Sequence, residues 1–342
     1  MNNPLQAVVI GAGYFAGFHL DAWQRMPCAR LAAIVESDAA RHASLNEQFA
    51  EVQITVSISA LSITLDIVDI ATPPQTHAEQ IQLALAHTNA LIICQKPFCG
   101  SLSKARTVAA DAAGRGRQVV VHENFRFQPW YRKIKSMLQE KLLGDVQQAT
   151  FRLRPGDGQG PEAYLARQPY FQQMPRFLIH ETGIHFVDVF RYLFGEPDAI
   201  SAELRQLNPA IKGEDAGTFT FLYDQGLRAV FDGNRHLDHA ATNTRKTMGE
   251  LLIEGTKGCI QLNGNGDIHF REFGSLETRN INYEQSDTGF AGDSVYQLQA
   301  HVVEHLSAGT PLENTAEAYL LNQQLEELIY RASNEARTVA AG

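Results

Sequence analysis

Cysteine is scarce in this chain. There are four in 342 residues, Cys28, Cys94, Cys99 and Cys259, and none forms a C-x-x-C pair. Two lie in or beside strand candidates, so buried free thiols in a reducing compartment are expected. Long apolar runs are also missing, and nothing approaches the ~20 residues of a membrane span. Met1-Asn2-Asn3-Pro4 leads straight into a strand candidate without a signal-peptide pattern. A soluble cytoplasmic protein with no membrane partner is the expectation. Positive charge is in deficit, with 29 Lys and Arg against 38 Asp and Glu and a net charge of −9. No nucleic-acid partner is expected, because such a partner favours a basic face. Anionic small molecules stay possible through local arginines. No internal repeat or low-complexity tract is found.

What remains is ordinary globular composition, 44% hydrophobic and 20% charged, in a chain long enough for two domains and a large core. Its organising stretch is Gly11-Ala12-Gly13-Tyr14-Phe15-Ala16. The apolar run Ala7-Val8-Val9-Ile10 precedes it, and a helix-spaced run from Gly17 to Trp23 follows. Glycines where a strand hands over to a helix form the dinucleotide-binding fingerprint, here with alanine in the third small position. Gly11 permits the tight turn, Gly13 lets backbone approach a pyrophosphate, and Ala16 lets helix and strand pack closely. The helix N-terminus offers N–H groups to the phosphates. A second strand, Leu31-Ala32-Ala33-Ile34-Val35, ends at Glu36, about 20 residues on, where a ribose hydroxyl needs an acceptor. Ser37 and Asp38 follow, with no adjacent arginine to receive a 2′-phosphate.

The first third alternates strand and helix. Strands are expected at Leu65–Ala71, Ala90–Cys94 and Val119–Val121, and helices at Ala39–Ala50 with Asp38 as N-cap, His77–His87 and Leu102–Ala113. Such alternation implies a parallel doubly wound sheet, with ligands outside the carboxyl ends of its strands. Glu36, Thr72-Pro73-Pro74, Lys96 and His122-Glu123-Asn124 all fall at carboxyl ends. After about residue 125 the character changes. Helices are expected at Trp130–Lys141, Ile184–Phe194, 294–308 and 314–333. Alternating strands are expected at 146–154 and through 199–285, with hairpin turns at Asp224-Gln225-Gly226 and Asn263-Gly264-Asn265-Gly266. The fold class is α/β: a doubly wound domain over 1–124, then an α+β domain over 125–342 with a mostly antiparallel open sheet. A loop at 155–176, with Tyr164, Arg167 and Tyr170 and Arg154 just ahead of it, reads as a lid or a subunit contact.

Several residues carry possible chemistry. Lys96 follows a buried strand directly and precedes Pro97, where its charge can lower the pKa of a substrate hydroxyl. His180-Glu181-Thr182-Gly183-Ile184-His185 nearly matches the zinc motif H-E-x-x-H, but its second histidine is five positions on and leaves the shared helical face. No metal is expected. Glu181 and His185 are four apart, which on an α-helix shares a face. Asp188 either orients His185 from the next turn or pairs locally. Asn124 and Arg126 offer donors suited to a polyol or a carboxylate.

Together these motifs resemble the glucose–fructose oxidoreductase/inositol dehydrogenase (Gfo/Idh/MocA) family over nearly the whole chain. The resemblance rests on Gly11–Ala16, on Asp69-Ile70-Ala71-Thr72-Pro73-Pro74 with His77, on Gln95-Lys96-Pro97, on Arg126 with Pro129, and on Gly183-Ile184-His185 with Asp188. Cys94-Gln95-Lys96-Pro97 with His122-Glu123-Asn124 resembles the branch that includes D-apiose dehydrogenase. The resemblance implies a Rossmann domain and an open sheet that lies between subunits, hence a homodimer or homotetramer. It implies NAD as cofactor, held by Gly11, Gly13, Tyr14, Phe15, Ala16 and Glu36, and by Thr72, Pro73, His77, Gln95 and Lys96. It implies catalysis by Lys96, His185 and Glu181, with His185 taking the substrate proton, and substrate binding by Asn124, Arg126, Glu181 and His185. The family motif has glutamate before the lysine. Gln95 removes that carboxylate, which should lower the Lys96 pKa. The expected reaction is hydride transfer to NAD from a secondary alcohol or lactol of a sugar, polyol or sugar acid. The alternatives are redox-neutral glycoside cleavage or isomerisation through a transient ketone, and a non-catalytic NAD-binding sensor.

Overall fold

The computed structural model describes residues 4–342, which form two compact units. One comprises the chain up to Asn124 with Thr288–Leu321, and the other comprises Phe125–Asp287 with Asn322–Gly342.

The first unit is built on six strands: β1 (Leu5–Ile10), β2 (Ala29–Val35), β3 (Gln53–Thr55), β4 (Ile67–Ile70), β5 (Leu91–Gln95) and β6 (Val119–His122). They run parallel in the order β3-β2-β1-β4-β5-β6. β4, β5 and β6 are buried at every residue, which is why they read as continuous apolar runs rather than alternating ones. Helices α1 (Ala16–Arg25), α2 (His42–Gln48), α3 (His77–His87) and α4 (Leu102–Gly114) connect them. Asp38 caps a one-turn 3₁₀ segment, Ala39–Arg41, that leads into α2, its carboxylate accepting the Ala40 N–H at 3.0 Å. β3 lacks a sequence signal because it has three residues, none fully buried.

Residues 288–321 were expected in the second domain and instead belong to the first unit. Helix α7 (Ser294–Ala308) explains the difference. Arg25 of α1 forms a bidentate pair with Asp293 at 2.7 and 2.9 Å. Phe290 packs on Phe15 and Phe18, and Gln299 donates to Asp69 at 3.0 Å. Burying these groups against α1 and β4 outweighs proximity in sequence.

The second unit contains α5 (Pro129–Gln139), α6 (Ile184–Phe194) and nine strands. These are β7 (Val146–Leu153), β8 (Ala199–Arg205), β9 (Ala216–Leu222), β10 (Arg228–Asn234), β11 (Gly249–Gly255), β12 (Gly258–Leu262), β13 (Ile268–Glu272), β14 (Thr278–Ile281) and β15 (Val339–Ala340). Their order is β14-β13-β12-β11-β7-β10-β9-β8-β15, and only β7 and β10 pair in parallel. One face carries Phe151, Phe219, Phe231 and Ile253, all buried; Phe186 of α6 stacks on Phe151 at 3.9 Å. On the other face Thr150, Thr220, Val230 and Leu252 are half-buried. Helix α8 (Ala316–Glu335) carries the boundary between units at Leu321/Asn322.

The 155–176 loop is packed within its own unit. Arg235, buried just after β10, donates to Asp157, to the Tyr164 hydroxyl at 2.7 Å and to Thr182 at 2.8 Å. Tyr164, Phe171 and Phe177 form a buried aromatic cluster with Ile211. Of the cysteines, Cys94 and Cys99 are buried, Cys259 is half-buried and Cys28 is exposed; all are free. No helix among the described residues is long and apolar enough to cross a membrane.

Candidate active site

In the first unit, the turn after β1 has the geometry a pyrophosphate requires. Gly11 sits at φ +97°, where a Cβ would meet Ala71 O and Thr72 Cγ2 at 3.0 Å. Its backbone is therefore fixed by close approach to the end of β4. A Cβ on Gly13 would meet nothing within 4 Å, so the protein itself does not demand glycine there, whereas a close-lying ligand would. No side chain caps the start of α1, and its first turn holds no acidic residue, leaving N–H groups and dipole for an anion. Ala16 is buried, Phe15 half-buried and Tyr14 exposed. These features fit NAD.

Glu36, at the end of β2, accepts the Ala12 N–H at 3.2 Å and the Asp38 N–H at 3.0 Å. It also pairs with Arg41 at 2.8 Å, and Arg41 bonds the Ala12 carbonyl. The expectation of no arginine near Glu36 is corrected here. Arg41 lies five positions beyond Glu36, and the 3₁₀ turn at Ala39–Arg41 folds the guanidinium back.

Thr72 and Pro73 lie at the carboxyl end of β4, with the Thr72 hydroxyl accepting from Thr76 at 2.8 Å. His77 is fully buried, with Nε2 2.8 Å from the Thr72 carbonyl and Nδ1 3.1 Å from the Pro97 carbonyl. Burial holds its pKa below the usual histidine range, against the pull of those carbonyls. His77 thus ties the loop after β4 to the loop carrying Lys96. Gln95 does not extend beyond the strand end: its carbonyl oxygen accepts the Lys96 N–H at 2.7 Å and its amide nitrogen lies 3.0 Å from His19 Nε2. Behind it lies a buried polar cluster that sequence reading missed. His19 Nδ1, Trp23 Nε1 and Gln299 Nε2 all converge on Asp69 Oδ2, at 2.9, 2.8 and 3.0 Å. Burial pushes the Asp69 carboxyl up, but its contacts with His19 and Trp23 hold it, on balance, below the usual range. The sequence marks the members but not their pairing: Asp69 is the one polar residue of β4, and His19 and Trp23 are one turn apart on α1. Asn124 is buried and donates to Ser294 at 2.8 Å.

In the second unit, His185 opens α6 and stacks face to face on Phe125, with ring centroids 3.9 Å apart and planes within 4°. It is almost fully buried. The residues before it are not α-helical: Leu178–Gly183 form a π-helical turn, and α-geometry begins at Ile184, where the helix was expected to begin. The four-residue spacing therefore does not by itself put Glu181 and His185 on one face. Extra turns of this kind are frequent at functional sites. His180 Nδ1 lies 2.6 Å from Glu326. Among the described residues, no group of three or more His, Cys, Asp or Glu is placed to hold a metal. Asp188 pairs with Arg126 and accepts from Asn322 at 2.8 Å. Of the two roles expected for Asp188, local pairing is what the geometry provides.

Comparisons with known proteins cover stretches of both units. Residues 5–123 match the family model of the oxidoreductase NAD-binding Rossmann fold, and residues 131–261 match the GFO/IDH/MocA C-terminal domain. A D-apiose dehydrogenase from Rhizobium rhizogenes is 28% identical over 99% of this chain and 98% of its own length. An inositol 2-dehydrogenase from Rhizobium meliloti is 27% identical over 74% of this chain and 73% of its own. A solved oxidoreductase from Agrobacterium radiobacter, in complex with NAD+, L-tartaric acid and magnesium, superposes with a TM-score of 0.87 at 28% identity, covering 99% of this chain and 98% of that one. With a phosphate-ready turn in one unit, a histidine-bearing helix over a nine-stranded sheet in the other, and both stretches matched by one family's models, the chain belongs to the GFO/IDH/MocA family of NAD-binding oxidoreductases.

Proposed function

We propose that this protein is an NAD-dependent dehydrogenase that oxidises a secondary alcohol or lactol of a sugar, polyol or sugar acid. The observation that carries the reading is end-to-end similarity to a D-apiose dehydrogenase, in a chain that has Lys96 after β5 and His185 at the start of α6. NAD, when bound, supplies a hydride acceptor. The α1 N-terminus and Gly13 would receive its pyrophosphate, and Glu36 would accept from its adenosine ribose. Lys96 lowers the pKa of the substrate hydroxyl through its charge, and His185 takes the proton. The stacking of His185 on Phe125 holds the imidazole in one plane, so no ring rotation is needed when the proton moves. Glu181 binds the substrate or steadies His185. No metal is needed to polarise the alcohol, because Lys96 supplies the positive charge.

The half-buried face of the nine-stranded sheet supports assembly as a homodimer or homotetramer. A monomer by light scattering at micromolar concentration would contradict this. The function is tested by following NAD reduction at 340 nm across sugars, inositols and hydroxy acids, with and without chelator. Net reduction that survives chelation is expected. Turnover with bound NAD but no net reduction would replace the reading with redox-neutral chemistry. Bound NAD without any turnover would leave a sensor.

A further inference from the structure

The buried cluster behind Gln95 has a donor–acceptor sense that its geometry fixes. The Lys96 backbone N–H can only donate, so the Gln95 atom 2.7 Å from it is the carbonyl oxygen. The amide nitrogen therefore faces His19 Nε2 at 3.0 Å. An amide nitrogen donates and does not accept, so Nε2 must be bare. The ring proton sits on Nδ1, 2.9 Å from Asp69 Oδ2. Reversing the amide would set an NH₂ group against the Lys96 N–H. We infer that Asp69, a neutral His19 and Gln95 form one polarised chain that pins the backbone of Lys96, making His19 and Gln95 positioning residues for that lysine.

The same geometry distinguishes glutamine from glutamate at position 95. A carboxylate at position 95 would face the bare Nε2 lone pair and would require His19 to be protonated. With that carboxylate, the Asp69 carboxylate and an imidazolium, the cluster carries one net negative charge. With Gln95, the Asp69 carboxylate and a neutral His19, it carries the same. Losing the carboxylate at position 95 is thus balanced by losing one proton at His19. The charge that Lys96 faces from this cluster moves back from position 95 to Asp69 and does not vanish. Phe15 and His122 of β6 pack on the same imidazole, the His122 ring centroid 4.2 Å away, and Gln299 of α7 donates to Asp69 at 3.0 Å. None of them supplies a second carboxylate to His19.

The link from this cluster to catalysis rests on the proposed role of Lys96, whereas the protonation pattern does not. The test uses the full chain with ring-¹⁵N histidine, the His19 signals being identified among twelve histidines by their loss in His19→Asn. At pH 7 the parent protein is expected to show His19 protonated at Nδ1 only, and Gln95→Glu to show both nitrogens protonated. An Nε2–H tautomer or an imidazolium in the parent overturns the inference, as does a neutral His19 in Gln95→Glu. In kinetics, Gln95→Met should lower kcat about tenfold, the scale of one lost hydrogen bond. Gln95→Glu should restore kcat, because a carboxylate with protonated His19 can again accept the Lys96 N–H. If Lys96→Met abolishes turnover while Gln95→Met does not slow it, the positioning role fails and the function stands. If Lys96→Met turns over normally, the proposed role of Lys96 fails, and the resonance data alone decide the chain.

Discussion

Arg126 and Asp188 form a fork-to-fork ion pair, Nε to Oδ2 at 2.7 Å and Nη2 to Oδ1 at 2.6 Å, with the Asp188 side chain fully buried. The pair joins the 3₁₀ turn Phe125–Phe127 to the second turn of α6. Phe125, beside Arg126, is the ring on which His185 stacks. The arginine expected to bind substrate thus pairs with the helix that carries His185.

From this pairing we predict that Arg126→Ala destabilises the protein by about 3 kcal/mol, because it leaves a buried carboxylate without its cation. Urea unfolding would measure the loss. Unchanged stability with a raised KM for substrate would return Arg126 to the substrate site.

The Glu36–Arg41 pair governs cofactor choice. Glu36 favours a ribose hydroxyl over a phosphate, so NAD should bind at least tenfold more tightly than NADP, or about 1.4 kcal/mol. Arg41 sits 2.8 Å from that carboxylate and is the cation that would tolerate a 2′-phosphate. Arg41→Ala should accordingly weaken NADP more than NAD, and Glu36→Gln should strengthen NADP. Titration by fluorescence would check both, and equal dissociation constants in the parent would sink the assignment.

Lys96 and His185 should act on the reaction and not on cofactor affinity. Removing a general base or its helper typically costs at least about 100-fold, so Lys96→Met and His185→Asn should each lower kcat by that factor while NAD affinity stays put. Near-normal kcat in either variant would make that residue structural. Loss of NAD binding in parallel would assign it to the cofactor site.

Burial separates the thiols. It pushes the Cys99 thiol up to about 12 and the Cys94 thiol well above its usual value. Native protein at pH 8 should therefore expose Cys28 to a thiol reagent and withhold Cys94 and Cys99, all four reacting after unfolding. Because the folded pKa is raised, the stability carried by these neutral thiols is full below about pH 8.5, the unfolded value, and declines as pH rises toward 12. Fast native labelling of Cys99, or no alkaline loss of stability in this range, would contradict the burial argument.

Much of this protein is written in local sequence. The strands β1, β4, β5 and β6 are apolar runs too short for helices, and α3, α6 and α7 fall where 3.6-residue periodicity and caps place them. The Gly11–Ala16 turn is legible because its chemistry is backbone chemistry, set by residues adjacent in the chain. Glu36 and Lys96 are legible because they terminate buried strands of a parallel sheet.

Tertiary structure decided what depends on distant partners. That Arg41 reaches Glu36, that Asp69 collects His19, Trp23 and Gln299, and that Asp188 takes Arg126 and Asn322 follow from buried charge seeking donors wherever folding brings them. No spacing rule encodes such pairings. The π-turn before His185 likewise has no local signal: the helix expected from sequence begins at Ile184, and the start of Leu178–Gly183 is engaged by a distant residue, the Phe177 and Ile179 N–H groups donating to Glu214 at 3.2 and 3.1 Å. Residues 288–321 join the first unit for the same reason: burial of Phe290, Asp293 and Gln299 against α1 and β4 is a free-energy gain that sequence distance does not reveal.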